Sequence, residues 1–346
     1  MVVDGSSEGM VAFGGNPLAG RRRRWWVGLS AFLLLFLMGV FVEFGNMDRG
    51  VLHPAAQTAA RYQAMLGCFA LVLIYLVPFL AFVRYTRLRA GVPRWLVVLA
   101  LASGLFVPGW IAGELNDAAT TLLGMVASKG FVDAWGDAIE APVVEESIKV
   151  LTVCGTLALV GRRDARDWLV GGMCVGMGFQ VSEDLSYIEG QIAGSHKDFA
   201  TAIPFTLGSR VSGALVSHWT YTALAAVAVW LFFCQRRRLR GLVVFLIPLL
   251  SHFAWDSPMA DWGVLPMALI CLVAALPFLY VWGDVAFDGG RALAAPRGKA
   301  QPNGARAGEK DKVTGQDPSP MAAGPSDAAA VNQVESDDGA QVRGEG

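Results

Sequence analysis

Two adjacent carboxylates and a lysine, Glu145-Glu146-x-x-Lys149, stand inside an apolar stretch of the chain. Three further apolar stretches carry Glu183-Asp184, Ser217-His218-Trp219 and His252-x-x-x-Asp256. Ionisable groups so placed are costly in a bilayer and point to function. Carboxylates and imidazoles drawn out of bulk water suit water activation: a base close to the reacting water, and a metal or cationic group to receive an oxyanion. The same residues permit a zinc site in which His218, His252 and a carboxylate, Glu183 being the candidate, leave one position open. Spacing alone leaves both arrangements open.

Helical periodicity assigns partners within each motif. Lys149 lies at i+4 from Glu145 and i+3 from Glu146, so it reaches either. The i,i+4 geometry predicts a Glu145–Lys149 pair, with Glu146 left available about 100° around the helix. His252 and Asp256 share a helix face, a spacing that suits a carboxylate orienting an imidazole. Set against these readings, the glutamate pair with Lys149 is equally well a buried ion pair between helices, and either histidine alone is more often a hydrogen-bonded core residue. Phe179, Trp219 and Trp255 read as packing side chains, and Arg210 as a residue reaching for the interface. His53 and His196 fall in loops and carry no argument.

The elements that must position these groups are membrane helices. Apolar residues make up 54% of the 346-residue chain and charged residues only 16%, a balance foreign to a soluble domain of this size. A span needs about 20 mostly apolar residues. Runs of that kind fall near residues 25–43, 65–83, 95–112, 139–160, 168–189, 208–234, 241–257 and 262–283, predicting an all-α bundle of about eight spans. Residues 113–138 read as a long acidic loop with room for an interfacial helix. Residues 1–20 and 284–346 are polar and poor in aromatics and read as disordered ends, leaving 21–283 as the helical domain with a catalytic core near 136–260. The five cysteines lie in or beside apolar runs, where a thiol behaves as a small hydrophobe, so no disulfide framework follows.

Arginine clusters alternate with acidic segments from loop to loop. Arg21 to Arg24, Arg84 to Arg94, Arg162 to Arg166 and Arg236 to Arg240 mark one side, which the positive-inside rule makes cytoplasmic with both termini. On that topology Glu145 and Glu146 lie roughly 10 Å below the non-cytoplasmic start of their helix, at about 1.5 Å per residue. Glu183 and His252 sit near the non-cytoplasmic ends of helices running the other way. His218 is expected about three turns into its helix, the deepest of the set. The groups then share one layer between the outer interface and the midplane. Nothing in the charge pattern suggests a nucleic-acid surface.

The chain has no His-Glu-x-x-His helix, no Gly-x-Ser-x-Gly elbow and no Gly-x-Gly-Asp aspartyl motif, which takes weight from those routes to proteolysis. The ordered set Glu145-Glu146-x-x-Lys149, Phe179-x-x-x-Glu183, Ser217-His218-Trp219 and His252-x-x-x-Asp256 resembles the PrsW family of intramembrane proteases. That family is distantly similar to CAAX prenyl endoproteases and bacteriocin-processing enzymes. The resemblance covers the fourth to seventh spans. It implies that Glu145 and Glu146 supply the water-activating carboxylate, that Glu183, His218 and His252 complete the site or bind metal, and that Asp256 orients His252. An Asn often follows the Phe-x-x-x-Glu glutamate in that family, where this chain has Asp184. The implied substrates are single-pass membrane proteins such as anti-sigma factors, cut near the outer face of a bacterial cell membrane. Two other functions use similar residues, a proton- or ion-coupled transporter and an inactive binding protein of the same fold. The halves of the sequence show no repeat of the kind transporters commonly carry.

Overall fold

The computed structural model describes residues 17–48, 55–195 and 213–295. The expectations for the chain ends, for Arg210, His53 and His196, and for the start of the span at 208–234 lie outside these residues. Among the described residues the chain is all helix, with no strand. The first elements are α1 (Pro17–Asp48), α2 (Ala55–Ala90), α3 (Arg94–Phe106), α4 (Pro108–Gly124), α5 (Lys129–Leu159) and α6 (Ala165–Ser195). Then follow α7 (His218–Val229), which runs on into a π turn Trp230–Cys234, α8 (Arg238–Asp256), α9 (Val264–Asp288) and the short α10 (Arg291–Ala294).

Among the described residues five segments are long and apolar enough to cross a membrane: Arg22–Glu43, Phe69–Ala90, Arg94–Gly124, Arg238–Asp256 and Val264–Asp288. Helices α5 and α6 have 31 residues each, about 46 Å at 1.5 Å per residue, and so span by length while carrying the polar groups of the motifs. Helix α7 is the short apolar element between them and α8.

Burial separates a core from a lipid-facing shell. In α6 every residue from Asp167 to Gln180 is buried, and in α7 every residue from Thr220 to Ala228. A helix buried all round belongs at the centre of a bundle. Outward faces of α1, α2 and α9 instead expose Leu34, Leu37, Phe41, Leu73, Val77, Leu272 and Leu276. A surface so apolar is stable against acyl chains and not against water.

Small residues bring the central helices into contact. A Cβ added to Gly172 would lie 2.7 Å from the Thr222 carbonyl oxygen, and one on Gly176 would lie 2.3 Å from that of His218. On the opposite side of α6, a Cβ on Gly178 would come within 2.3 Å of the Leu101 carbonyl oxygen in α3. With lipid on the outside, such close backbone approach is how membrane helices gain packing. Gly176 thus fixes the height of His218 against α6. Gly176→Ala is expected to lower stability by about 1–3 kcal/mol and to displace His218, read as a lower unfolding temperature in detergent with a fall in activity.

Two expectations are corrected. Residues 113–138 are not a long loop: α4 extends to Gly124 and α5 begins at Lys129, so the connection is only residues 125–128. The acidic and amide groups there pair across the hairpin, Thr120 with Glu140, and Asn116 Nδ2 with Glu145 Oε1 at 3.3 Å. The third apolar run keeps its place as a candidate span, Arg94–Gly124, with an interruption at Val107 where Pro108 opens α4. His218 is not three turns into its helix but is the first residue of α7, after the N-cap Ser217.

Candidate active site

Helices α5, α6, α7 and α8 each contribute to one polar cluster. From α5 come Glu145, Glu146 and Lys149, all buried; Glu146 and Lys149 have no exposed surface at all. Lys149 Nζ lies 2.6 Å from Glu146 Oε1 and 3.6 Å from Glu145 Oε2. This reverses the expected pairing. The two glutamates are both within reach along the helix, and the surroundings decide between them. His218 Nδ1 lies 2.8 Å from Nζ, and the Phe179 ring face sits over Nζ at 4.4 Å. These contacts leave Glu146 as the close carboxylate.

The imidazoles stand 5.2 Å apart, centroid to centroid. His218 Nε2 meets Glu183 Oε2 at 2.9 Å. Lys149 Nζ carries only donors, so Nδ1 of His218 accepts and Nε2–H donates to Glu183. His252 Nδ1 meets Glu146 Oε1 at 3.1 Å, and its Nε2 meets Asp256 Oδ2 at 3.1 Å, the contact the shared helix face predicts. Each ring is therefore oriented by a carboxylate, Glu183 for His218 and Glu146 for His252. Glu145 Oε2 stands further off, 4.0 Å from His218 Nδ1, which Lys149 engages, and 3.7 Å from His252 Nε2, which Asp256 engages.

Glu145, His218 and His252 offer three donor atoms within 4.8 Å of one another. Tetrahedral zinc with bonds near 2.0–2.1 Å holds its ligands about 3.4 Å apart, so the Glu145 separations are a few tenths of an Å wider than a bound ion needs. Glu145 Oε2 is buried with no hydrogen-bond partner. Two imidazole nitrogens, a carboxylate oxygen without a hydrogen bond, and a carboxylate behind each ring form a donor set that fits a metal. Lys149 would release His218 Nδ1, and Asp256 would release His252 Nε2, to allow it. In this group Glu145 stands where the sequence reading put Glu183, which instead holds His218 from its other ring nitrogen.

A cavity of about 370 Å³ reaches this cluster, with Glu43, Trp110, Asn116, Glu145, Ser182 and Glu183 among its lining. Glu43, from α1, accepts a hydrogen bond from Ser182 beside Glu183. Its polar wall gives water a route to Glu145.

The model of the family described as PrsW family intramembrane metalloprotease matches residues 92–282, more than half of the chain. The chain belongs to the PrsW family. No curated protein and no solved structure matches it. The PrsW domain holds all the residues of the four motifs, while α1 and α2 precede it. The structure thus brings Glu145, Glu146, Lys149, Phe179, Glu183, His218, His252 and Asp256 together. Asp184 points elsewhere, toward Tyr75 on α2. Asn116, Gln180, Tyr75 and Glu43 also serve the cluster or its supports and were missed in the sequence, and Ser217 stood in its motif without a role. For Gln180 a signal existed, an uncharged polar residue in the apolar run of a central span.

Proposed function

We propose that this PrsW-family chain hydrolyses peptide bonds of single-pass membrane proteins, anti-sigma factors among them, at the Glu145–His218–His252 cluster. The observation that carries this reading is the convergence of one hydrogen-bond-free carboxylate oxygen and two oriented imidazoles at the end of a polar cavity. Glu145 is the general base: its Oε2 takes the proton of a water entering from the cavity. Glu146 and Glu183 fix the two rings, and Lys149 ties Glu146 in place. His218 and His252 would hold zinc, leaving Glu145 Oε2 to the water, and when bound the ion supplies Lewis-acid stabilisation of the charge that develops on the carbonyl oxygen. Phe179 and the surrounding helices keep lipid from the cluster, and the substrate approaches from the non-cytoplasmic leaflet with both termini of the enzyme in the cytoplasm.

The test is cleavage of a model single-pass substrate by the purified chain in proteoliposomes. Cleavage is expected, to be lost on treatment with a strong zinc chelator and restored by added zinc. The metal content should be close to one ion per chain and fall in His218→Gln and His252→Gln. Cleavage that survives complete metal removal would assign the reaction to carboxylate and imidazole alone. Absence of cleavage together with substrate-independent ion flux would replace the protease reading with transport.

A further inference from the structure

A second polar chain lies behind the cluster. Tyr75 on α2 donates its hydroxyl to Asp184 Oδ2 at 2.7 Å, Gln180 Nε2 donates to Asp184 Oδ1 at 2.9 Å, and Ser217 Oγ donates to Gln180 Oε1 at 2.7 Å. All four side chains are buried. Groups withdrawn from water in this way are costly unless their bonds are made in full, so the chain is a specific arrangement and not a solvated face.

The direction of each bond follows from the first. A carboxylate accepts only, so Asp184 requires a donor from Gln180, and this turns the amide so that its oxygen faces Ser217. Ser217 is the N-cap of α7, where a serine hydroxyl ordinarily accepts from the helix's own backbone N–H. Here it makes no such cap and is committed to Gln180 instead. The next residue is His218. Consecutive residues on α6 therefore hold the same histidine by two routes: Glu183 grips its ring, and Asp184 acts through Gln180 on the backbone just before it.

We infer that Tyr75, Asp184, Gln180 and Ser217 are positioning residues that set the place of the His218 imidazole, so that α2, which precedes the PrsW domain, is a working part of the catalytic centre. This rests on the proposal that His218 belongs to that centre. The chain is continuous, because the amide of Gln180 joins its two halves, donating to Asp184 and accepting from Ser217.

The experiment uses the full chain labelled with 13C,15N-histidine in detergent micelles, with His218 assigned by its loss in His218→Gln. Tyr75→Phe and Ser217→Ala are each expected to shift or broaden the His218 ring signals while those of His252 stay in place. Ser217→Thr, which keeps the hydroxyl, is expected to retain the wild-type spectrum. In the cleavage assay each of the two disabling variants should lower kcat about fivefold, the effect of one buried hydrogen bond, with KM unchanged. The double variant should fall no further than the weaker single variant, as expected of a shared network. His218 signals unchanged in both Tyr75→Phe and Ser217→Ala would overturn the inference. The ring signals are read without turnover, so a failure of the protease assay would refute the proposed function while the positioning of His218 by these residues is still decided by the spectra.

Discussion

Glu145→Gln is expected to reduce the rate of substrate cleavage by about 10²–10⁴-fold, the usual worth of a positioned general base, and to leave the protein folded. The two halves of that statement have separate causes. Glu145 Oε2 has no hydrogen-bond partner and stands 3.6 Å from the Lys149 ammonium, so an amide there forfeits little structure. Its Oε1 accepts only from Asn116 Nδ2 at 3.3 Å among the described residues, and the oxygen of a glutamine can accept the same bond. What the amide loses is the capacity to take a proton, and the anionic oxygen that faces both imidazoles at 3.7 and 4.0 Å. The measurement is kcat on a single-pass substrate beside the unfolding temperature in the same detergent. A Glu145→Gln protein that cleaves at the wild-type rate would remove Glu145 as the base.

That assignment shows where sequence reading stops. The four motifs, their order and the sharing of one site by α5, α6, α7 and α8 were legible, because a buried charge in an apolar run needs a partner and successive antiparallel helices limit which can meet. The choice between Glu145 and Glu146 was not. Helix geometry offers Lys149 both neighbours, and the decision is made by His218 and Phe179 from other helices, which no spacing within α5 contains. The place of His218 was missed for a related reason. An apolar run extends upstream of it, but α7 begins at His218, where Ser217 turns to Gln180 and α6 presents Gly176. The acidic stretch before α5 looked like a loop because its charges were counted as solvated. In the structure Asn116 and Thr120 meet Glu145 and Glu140 across a tight helical hairpin. Glycines are visible in any sequence; which of them faces a backbone is a property of the packed bundle.

The adjacent glutamate leads to the opposite experiment. Lys149→Met is expected to destabilise the protein by about 3–5 kcal/mol, the cost of removing one partner from a buried ion pair. Glu146 has no exposed surface, and Lys149 Nζ is 2.6 Å from its Oε1, so truncating the lysine strands a carboxylate in a medium that cannot solvate it. The same change strips His218 Nδ1 of its donor and takes the cation from above Phe179. A methionine fills most of the stem's volume, so the loss reads the charge and not a cavity. The compensating variant Lys149→Met/Glu146→Gln removes both charges, keeps an oxygen for His252 Nδ1, and is expected to recover more than half of the lost stability. Thermal or denaturant unfolding of wild type, both single variants and the double variant in one detergent closes the cycle. A Lys149→Met protein as stable as wild type, or a double variant no better than the single one, would mean that the pair does not hold α5 in place. Glu146 would then have to be sought in the chemistry beside Glu145 and not in its support.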